Sequence, residues 1–282
     1  MQNSQNTREE FEVSEISLLD ILGFLKNAWK IIAGFGILGL IASLGYLFLT
    51  PPMYEATARI RMAQISQVNP ANPFGTNIEE PASLIARMQF PTNYSAQVIS
   101  NCNYQDKSQP ELALSKDVKF SIPKGVSNAV ELKVLALSPQ VAASCAQALF
   151  AQVAQLQEEL AKPFVEEANL KLATDNDRIE AARRLIVKAD QSGSAMSAAY
   201  LSARDELTYF LTDHEKMLDL ISSVKNRGTR LSSPIYVSEK PVSPKRVMSL
   251  LAGLVGGLVL GLMIALARLM ISRLKSEAGA TL

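Results

Sequence analysis

The sequence predicts an α+β membrane protein, in which two transmembrane helices bracket an α/β base domain that carries a long helical hairpin. Two apolar runs without a charge lie near the ends of the 282-residue chain, at 31–50 and 247–267. Between them, short segments with strand patterning flank a long stretch, 139–227, with helical patterning. The region between the two runs is long enough to bury a core of its own, so we expect a separate folded domain there.

The second apolar run, 247–267, is long enough to cross a bilayer as a helix, because its length at 1.5 Å per residue is ~31 Å. Only a helix satisfies its own backbone inside a membrane. Gly253, Gly257 and Gly261 recur every four residues and therefore share one face of this helix. Small residues at this spacing let another membrane helix approach closely. We expect a helix-packing face here, although glycine is also common in membrane helices generally.

The segment that leads into this run is rich in proline and ends in two basic residues. Proline is excluded from helix interiors and favours an extended chain in the residue before it. The sequence therefore predicts an extended lead-in to the membrane, and its candidate residues are Pro234, Pro241, Pro244, Lys245 and Arg246.

The first apolar run, 31–50, also has the length of a membrane span. It begins too far from the N-terminus, and is too long, for a cleavable signal peptide. Basic residues precede it and follow the second run, and the positive-inside rule then places both termini in the cytoplasm. This assigns 1–30 and 268–282 to the cytoplasm and 51–246 to the periplasm. Whether 14–30 lies on the membrane surface or extends the first span inward is left open.

The base domain is predicted to comprise 51–138 and 228–246. Alternating or β-rich patterns predict strands, and short apolar patterns predict two small helices at 81–88 and 93–100. The strands are expected at 54–65, 118–122, 129–137 and 231–237. Because the first and last of them adjoin the two spans, we expect them in one sheet with the middle pair. The stretch 66–80 is rich in Asn, Pro and Gly and predicts a loop.

The hairpin is predicted from apolar residues spaced by three and four over 139–190 and 195–225. Ser138 has the chemistry of an N-cap, and Pro139 suits the first helical position. Pro163 is expected to kink the first helix or to restart it one turn later. The two helices are then antiparallel, and we expect the hairpin to project away from the base.

No constellation of residues indicates catalysis, a cofactor or a metal. The net charge of +1 gives no basic field for nucleic acid. Paired carboxylates at 158–159 and 166–167 alternate with basic residues and predict a solvated helix face. The single histidine, His214, falls on an apolar face, which favours packing or an interface over ligation. Cys102 and Cys145 lack metal-ligand spacing; an oxidising compartment allows them to pair, but a small buried residue already explains Cys145.

Four segments resemble a known family when they are taken together. They are Ile-Ser-Leu-Leu-Asp-Ile-Leu at 16–22 with Trp29, Pro-Pro-Met-Tyr-Glu-Ala at 51–56, the proline-rich lead-in, and the glycine-rich second span. In these segments and in its layout the chain resembles the polysaccharide co-polymerases, or Wzz-type chain length determinants, of Gram-negative inner membranes. There is no phosphate-binding GxxxxGK[ST] pattern, so the resemblance is to the short form without a kinase domain.

The resemblance implies a non-enzymatic regulator of polysaccharide length that forms a homo-oligomeric ring. Its implied partners are a membrane polysaccharide polymerase, a lipid-linked polysaccharide and the membrane itself, and the polymer would be O antigen of lipopolysaccharide or a related surface polysaccharide. No nucleic acid, cofactor or metal is implied. Two alternatives remain from the layout alone, a two-span periplasmic sensor and an export adaptor, each of which would act through a partner.

Overall fold

The structure is a computed structural model that describes residues 18–66, 75–193 and 197–279, with side chains described from 23 to 271 within those ranges. Outside the described residues lie 1–17, which include the first two residues of the segment at 16–22, and 67–74 in the predicted loop. So do 194–196, which include the predicted start of the second hairpin helix at 195, and 280–282. The chain divides into two compact units, a membrane unit of Met1–Pro51 with Ser243–Leu282, and a mixed unit of Pro52–Val242.

Seven helices and seven strands are described. In chain order the helices are α1 (Leu18–Leu49), α2 (Pro81–Met88), α3 (Ala96–Asn101), α4 (Pro110–Asp117), α5 (Pro139–Gln191), α6 (Ala198–Asn226) and α7 (Arg246–Gly279). The strands are β1 (Tyr54–Arg61), β2 (Gln64–Ile65), β3 (Thr76–Asn77), β4 (Val118–Ser121), β5 (Ala129–Ala136), β6 (Arg230–Leu231) and β7 (Tyr236–Val237).

The membrane unit is the helix pair α1 and α7. Each contains an apolar stretch long enough to cross a bilayer, Gly23–Leu49 and Arg246–Ile271. Only 11% and 17% of the residues in their most apolar windows are buried, whereas the core helix of a water-soluble protein hides most of its surface. An apolar helix with an exposed surface is suited to lipid. Since α1 runs unbroken from Leu18, the described part of 14–30 extends the first span.

The mixed unit is built on an antiparallel sheet in the order β4-β5-β1-β6, with β7 also paired to β1. The first and last predicted strands therefore do share a sheet with the middle pair. The returning strand is shorter than predicted: Leu231 pairs with Ile60 and Val237 with Ala56, as two separate ladders. Pro234 lies between them and has no N–H to continue the ladder.

One predicted loop and one predicted helix differ from the structure. The strand predicted at 54–65 is divided into β1, which ends at Arg61, and β2 at Gln64–Ile65. Strand β2 pairs with β3, which lies inside the region predicted as a loop. The helix predicted at 93–100 is a 3₁₀ turn at Pro91–Asn93 followed by α3. Helix α4 was not predicted, although Pro110 at its first position is a start signal.

The core of the mixed unit lies between one face of the sheet and the helices α2, α3, α4 and the first turns of α5. Alternate residues of β1 and β5 point into it and are almost fully buried, as the period of two requires. The core side chains of these elements include Ala58, Ile60, Leu84, Val98, Leu114, Val130, Leu132, Leu149 and Val153. The sheet therefore holds the start of α5 by burying its apolar face.

Helix α5 begins as predicted and continues for 53 residues, about 80 Å at the usual rise. The Ser138 hydroxyl accepts a hydrogen bond from the N–H of Val141 at 3.2 Å, and Pro139 occupies the first turn. The prediction that Pro163 restarts the helix was wrong. Pro163 is exposed, so the carbonyl that loses its partner can be satisfied by water.

Helices α5 and α6 form the predicted hairpin. Along α5 four buried positions recur every seven residues, Ala161, Ala168, Asp175 and Ala182, and Ile179 is buried between the last two of them. A repeat of seven keeps one seam facing the partner helix, and small side chains let the two backbones approach. Ala203 is the corresponding buried alanine of α6. Across the seam the Lys171 Nζ lies 2.8 Å from Asp213 Oδ2.

Cys102 and Cys145 form a disulfide that joins the end of α3 to α5. The sequence left the pairing open and favoured an unpaired buried thiol at Cys145, and this preference was wrong. Both residues are buried, with 2% and 1% of their surface exposed, and their Cα atoms lie 4.4 Å apart. The cross-link encloses α4, β4 and β5.

Replacing Cys102 and Cys145 together by serine is expected to lower the free energy of unfolding by about 4 kcal/mol. The cross-link closes a loop between residues 43 apart, and loss of that constraint gives the unfolded chain this much more entropy. Thermal unfolding of the detergent-solubilised full chain measures the effect. Reduced wild type should resemble the double variant, and equal stability of oxidised wild type and double variant would contradict the expectation.

Candidate functional site

The predicted glycine face of α7 lies against α1. A Cβ added at Gly253 would lie 2.5 Å from the Ser43 Cβ, and one at Gly261 would lie 2.9 Å from the Ile32 Cα. A Cβ at Gly257 would clash with the Phe35 carbonyl oxygen and lie 3.1 Å from the Cα of Gly36. No side chain fits at these distances, so glycine is needed for the backbones to lie this close.

The α1 side of this contact was not found from the sequence. A Cβ added at Gly39 would clash with the Gly253 carbonyl and lie 3.1 Å from the Gly257 Cα. The Ser43 hydroxyl donates to the carbonyl of Ser249 at 2.7 Å, which adds a polar contact between the helices. Gly36 and Gly39 lie three residues apart in the first span, and this spacing could have indicated that α1 also has a close-packing face.

The proline-rich lead-in is extended, and it runs along β1 before α7 begins. Pro234 and Pro241 are exposed on either side of β7. Beyond Pro241, the Val242 N–H donates to the Met53 carbonyl at 2.8 Å. The remaining predicted residues belong to the membrane unit: Pro244 follows a cis peptide bond, and Lys245 and Arg246 are exposed at the start of α7.

Gln157 connects the hairpin to the sheet and was not singled out from the sequence. Its side chain on α5 is fully buried. Its Oε1 accepts from the Ala63 N–H at 2.9 Å and from the Thr229 hydroxyl at 2.7 Å. Its Nε2 donates to Glu79 Oε2 at 3.3 Å, and that carboxylate also pairs with Arg87 at 2.7 Å. One amide thus joins α5, the end of β1 and the chain after α6.

The hairpin seam carries two polar groups without hydrogen-bond partners among the described residues. They are Oδ2 of the buried Asp175 on α5 and Nδ1 of His214 on α6. His214 is half-buried on the packed side of α6, as its apolar spacing predicted. Nearby, the hydrogen bond from Lys171 to Asp213 raises the pKa of the Lys171 ammonium. The seam is therefore less apolar than its heptad spacing alone indicates.

Two tyrosines of the base have raised pKa values for structural reasons. Burial raises the pKa of Tyr94 to about 12, and its hydroxyl donates to the Met88 carbonyl at 2.8 Å. Burial, and then a hydrogen bond to the Asp117 carboxylate, raises the pKa of Tyr104. Both phenols stay protonated at neutral pH and stabilise the base as hydrogen-bond donors.

The paired glutamates of α5 are exposed at 158–159 and 166–167. Glu166 lies 3.9 Å from Lys162, one turn earlier on the same helix, which is the alternation expected of a solvated face. Within the described residues, no group of three His, Cys, Asp or Glu side chains has the arrangement of a metal site.

Residues 14–119 match the family model described as Wzz, chain length determinant protein. In this part, somewhat over a third of its length, the chain is similar to the Wzz-type chain length determinants. The match covers the first span, β1 and the helices α2, α3 and α4.

Two solved structures that are similar to this chain are polysaccharide co-polymerases. One is a full-length bacterial polysaccharide co-polymerase, 13% identical, with a TM-score of 0.41, covering 91% of this chain and 99% of that one. Another is a fragment of WzzB, a polysaccharide co-polymerase from Salmonella Typhimurium, 15% identical, with a TM-score of 0.31, covering 68% and 100%. No curated protein matches the sequence.

Gly257→Ile is expected to separate α1 from α7, because its Cβ would overlap the Phe35 carbonyl and crowd Gly36. Gly256→Ile is the matched control, since nothing lies within 4 Å of a Cβ there. The readout is oxidative cross-linking of a Ser43→Cys, Ser249→Cys pair, whose hydroxyl oxygens lie 3.3 Å apart in the wild type. We expect a severalfold lower yield with Gly257→Ile only; equal yields in both variants would refute the packing face.

Gln157→Leu is expected to destabilise the mixed unit by roughly 2–4 kcal/mol, because it leaves the Ala63 N–H and the Thr229 hydroxyl without their buried acceptor. Gln155→Leu changes an exposed residue two positions earlier and should alter stability by less than about 0.5 kcal/mol. Thermal unfolding of the full chain in detergent compares the two. A similar loss in both variants would show that Gln157 has no special role.

Proposed function

We propose that this Wzz-type protein sets the length of a surface polysaccharide, the O antigen of lipopolysaccharide or a related polymer. It acts beside a membrane polymerase that extends a lipid-linked polysaccharide. The observation that carries the proposal is the match of residues 14–119 to the chain length determinant family. The two exposed apolar helices support it, because helices of this length and composition suit a protein that acts at a membrane.

We further propose that the mixed unit is periplasmic and that both termini are cytoplasmic. Lys26 and Lys30 precede the uncharged run at 31–50, and Arg268 follows the uncharged run at 247–267. The disulfide gives independent support, because such bonds persist in oxidising compartments. Cys102 and Cys145 both lie between the two spans and therefore on one side of the membrane.

The working form in this proposal is a homo-oligomeric ring. Support comes from large apolar side chains that are exposed along the hairpin of a single copy. The most exposed on α5 are Leu170, Leu185 and Val187, at 73%, 53% and 54%. Contact with α5 or α6 of a neighbouring copy would remove this surface from water, and the charged residues between would fix the register.

The proposed action is non-enzymatic. A ring fixes the distance and orientation between the polymerase and the growing glycan, and contact of the glycan with the ring changes the probability that the polymer is released. The rigid parts of the protomer suit this role: α5 is anchored in the core through Leu149 and Val153 and tied to the sheet by Gln157. The length of the polysaccharide is then set by a scaffold that catalyses no reaction itself.

Deleting the gene is expected to broaden the length distribution of the surface polysaccharide, because release would no longer be coupled to length. The measurement is the glycan ladder on a gel, with the wild-type gene supplied on a plasmid as control. Complementation should restore a narrow modal band. An unchanged ladder in the deletion strain, for O antigen and for the other surface polymers, would refute the proposal.

A further inference from the structure

We propose that the outer face of the sheet carries a binding site for a phosphate or diphosphate group, formed by Arg61, Arg230 and Arg227. The site lies where β1 meets β6 and where the chain leaves α6. It does not depend on the proposed role in polysaccharide length. The argument rests on strand register, on charge and on a cavity.

Strand register explains why this part of the sheet is unusual. The outer face of β1 bears Glu55, Thr57, Arg59 and Arg61 at alternate positions. Glu55 pairs with Lys133 of β5 at 3.5 Å, and Arg59 pairs with Glu131 at 3.4 Å. Opposite charges thus face each other across β1 and β5, as cross-strand pairing favours.

At the end of β1 this pairing of opposite charges across neighbouring strands is interrupted. Arg61 lies opposite Ala129 on β5 and directly opposite Arg230 on β6. Directly opposed residues of antiparallel strands place their side chains on the same face, with Cβ atoms about 5 Å apart, and like charges there are destabilising. Among the described residues, no carboxylate lies within 4 Å of either guanidinium. Two permanent positive charges are therefore held together without an internal counter-ion.

A cavity of about 250 Å³ lies at this row, lined by Arg61, Met62, Gln64, Arg227 and Arg230. It holds several times the ~30 Å³ that one water occupies in the liquid, so a hydrated phosphate group fits. Arg227 adds a third positive charge. Its backbone carbonyl accepts from the Gln64 N–H at 3.0 Å, which fixes the turn after α6 against the strands.

The chemistry of the lining selects an oxyanion with more than one negative charge. Guanidinium groups remain charged at all physiological pH values and present forked donors that match phosphate oxygens. A phosphate ester loses its second proton near pH 6, so its affinity for the arginines should rise as pH increases through that value. A neutral sugar supplies no charge to offset the guanidinium groups of Arg61 and Arg230.

The test is calorimetric titration of the detergent-solubilised full chain with inorganic diphosphate at low salt. We expect Arg61→Gln and Arg230→Gln each to weaken binding roughly tenfold, since a hydrogen bond to a charged group contributes about this much. Arg59→Gln is the matched control, two residues away on the same face but paired with Glu131. It should bind as the wild type does.

Two comparisons identify the source of the phosphate. Short-chain phosphatidylglycerol, titrated as monomers against short-chain phosphatidylcholine, shows whether a lipid headgroup is accepted. Binding of diphosphate alone assigns the site to a soluble phosphate ester, and binding of phosphatidylglycerol but not phosphatidylcholine assigns it to an anionic headgroup. Glucuronate that binds as tightly as diphosphate would overturn the assignment to phosphate.

The folding of the variants is checked by thermal unfolding without ligand. Arg230→Gln should leave the unfolding temperature unchanged or raise it, because it removes a like-charge contact with Arg61. A wild-type affinity in both Arg61→Gln and Arg230→Gln, or an equal loss in Arg59→Gln, would overturn the proposed site. The glycan ladder is not part of this readout, so the two proposals can fail independently.

Discussion

The rest of the mixed unit depends on β1. This strand pairs with β5 and also with β6 and β7, the two strands that lead back towards α7. Its ladder with β5 fixes the middle of the base, and its ladders with β6 and β7 fix the return. The hydrogen bond from Val242 to Met53 places the two ends of the unit side by side. A domain between two membrane helices needs its first and last residues to lie near each other, and pairing with β1 brings them together here.

The hairpin extends from this closure through two different kinds of contact. At its root, α5 packs on the core through Leu149 and Val153 and is fixed by the fully buried amide of Gln157. Farther along, the small side chains of Ala161, Ala168 and Ala182 bring α5 and α6 together, with Ile179 buried beside them. Such a seam buries little apolar area per layer, so the ion pair between Lys171 and Asp213 serves mainly to fix the pairing of the two helices.

Features that depend on local pattern were predictable from the sequence. The Ser138–Pro139 start of α5, the long amphipathic helices and the glycine face of α7 each follow from spacing and capping chemistry. The extended lead-in follows from proline. The two-residue strands β2 and β3 were not predictable, because so short a ladder leaves no period to detect.

Features that depend on distant residues were not predictable. A glutamine on a helix is usually exposed to solvent. The structural role of Gln157 becomes evident only once Ala63 and Thr229 are known to lie beside it. Pairing of Cys102 with Cys145 requires α3 to lie on α5. The opposition of Arg61 and Arg230 follows from strand register, and a shift of one residue would have sent these side chains to opposite faces.

The disulfide has a consequence for the order in which the protein matures. In the proposed topology the chain crosses the membrane from its N-terminal side, so both cysteines emerge before any part of α6. The base helices and the first turns of α5 can thus be locked covalently while the second half of the hairpin is still being synthesised. A thiol oxidase that acts at that moment would fix the base covalently before α6 packs against α5.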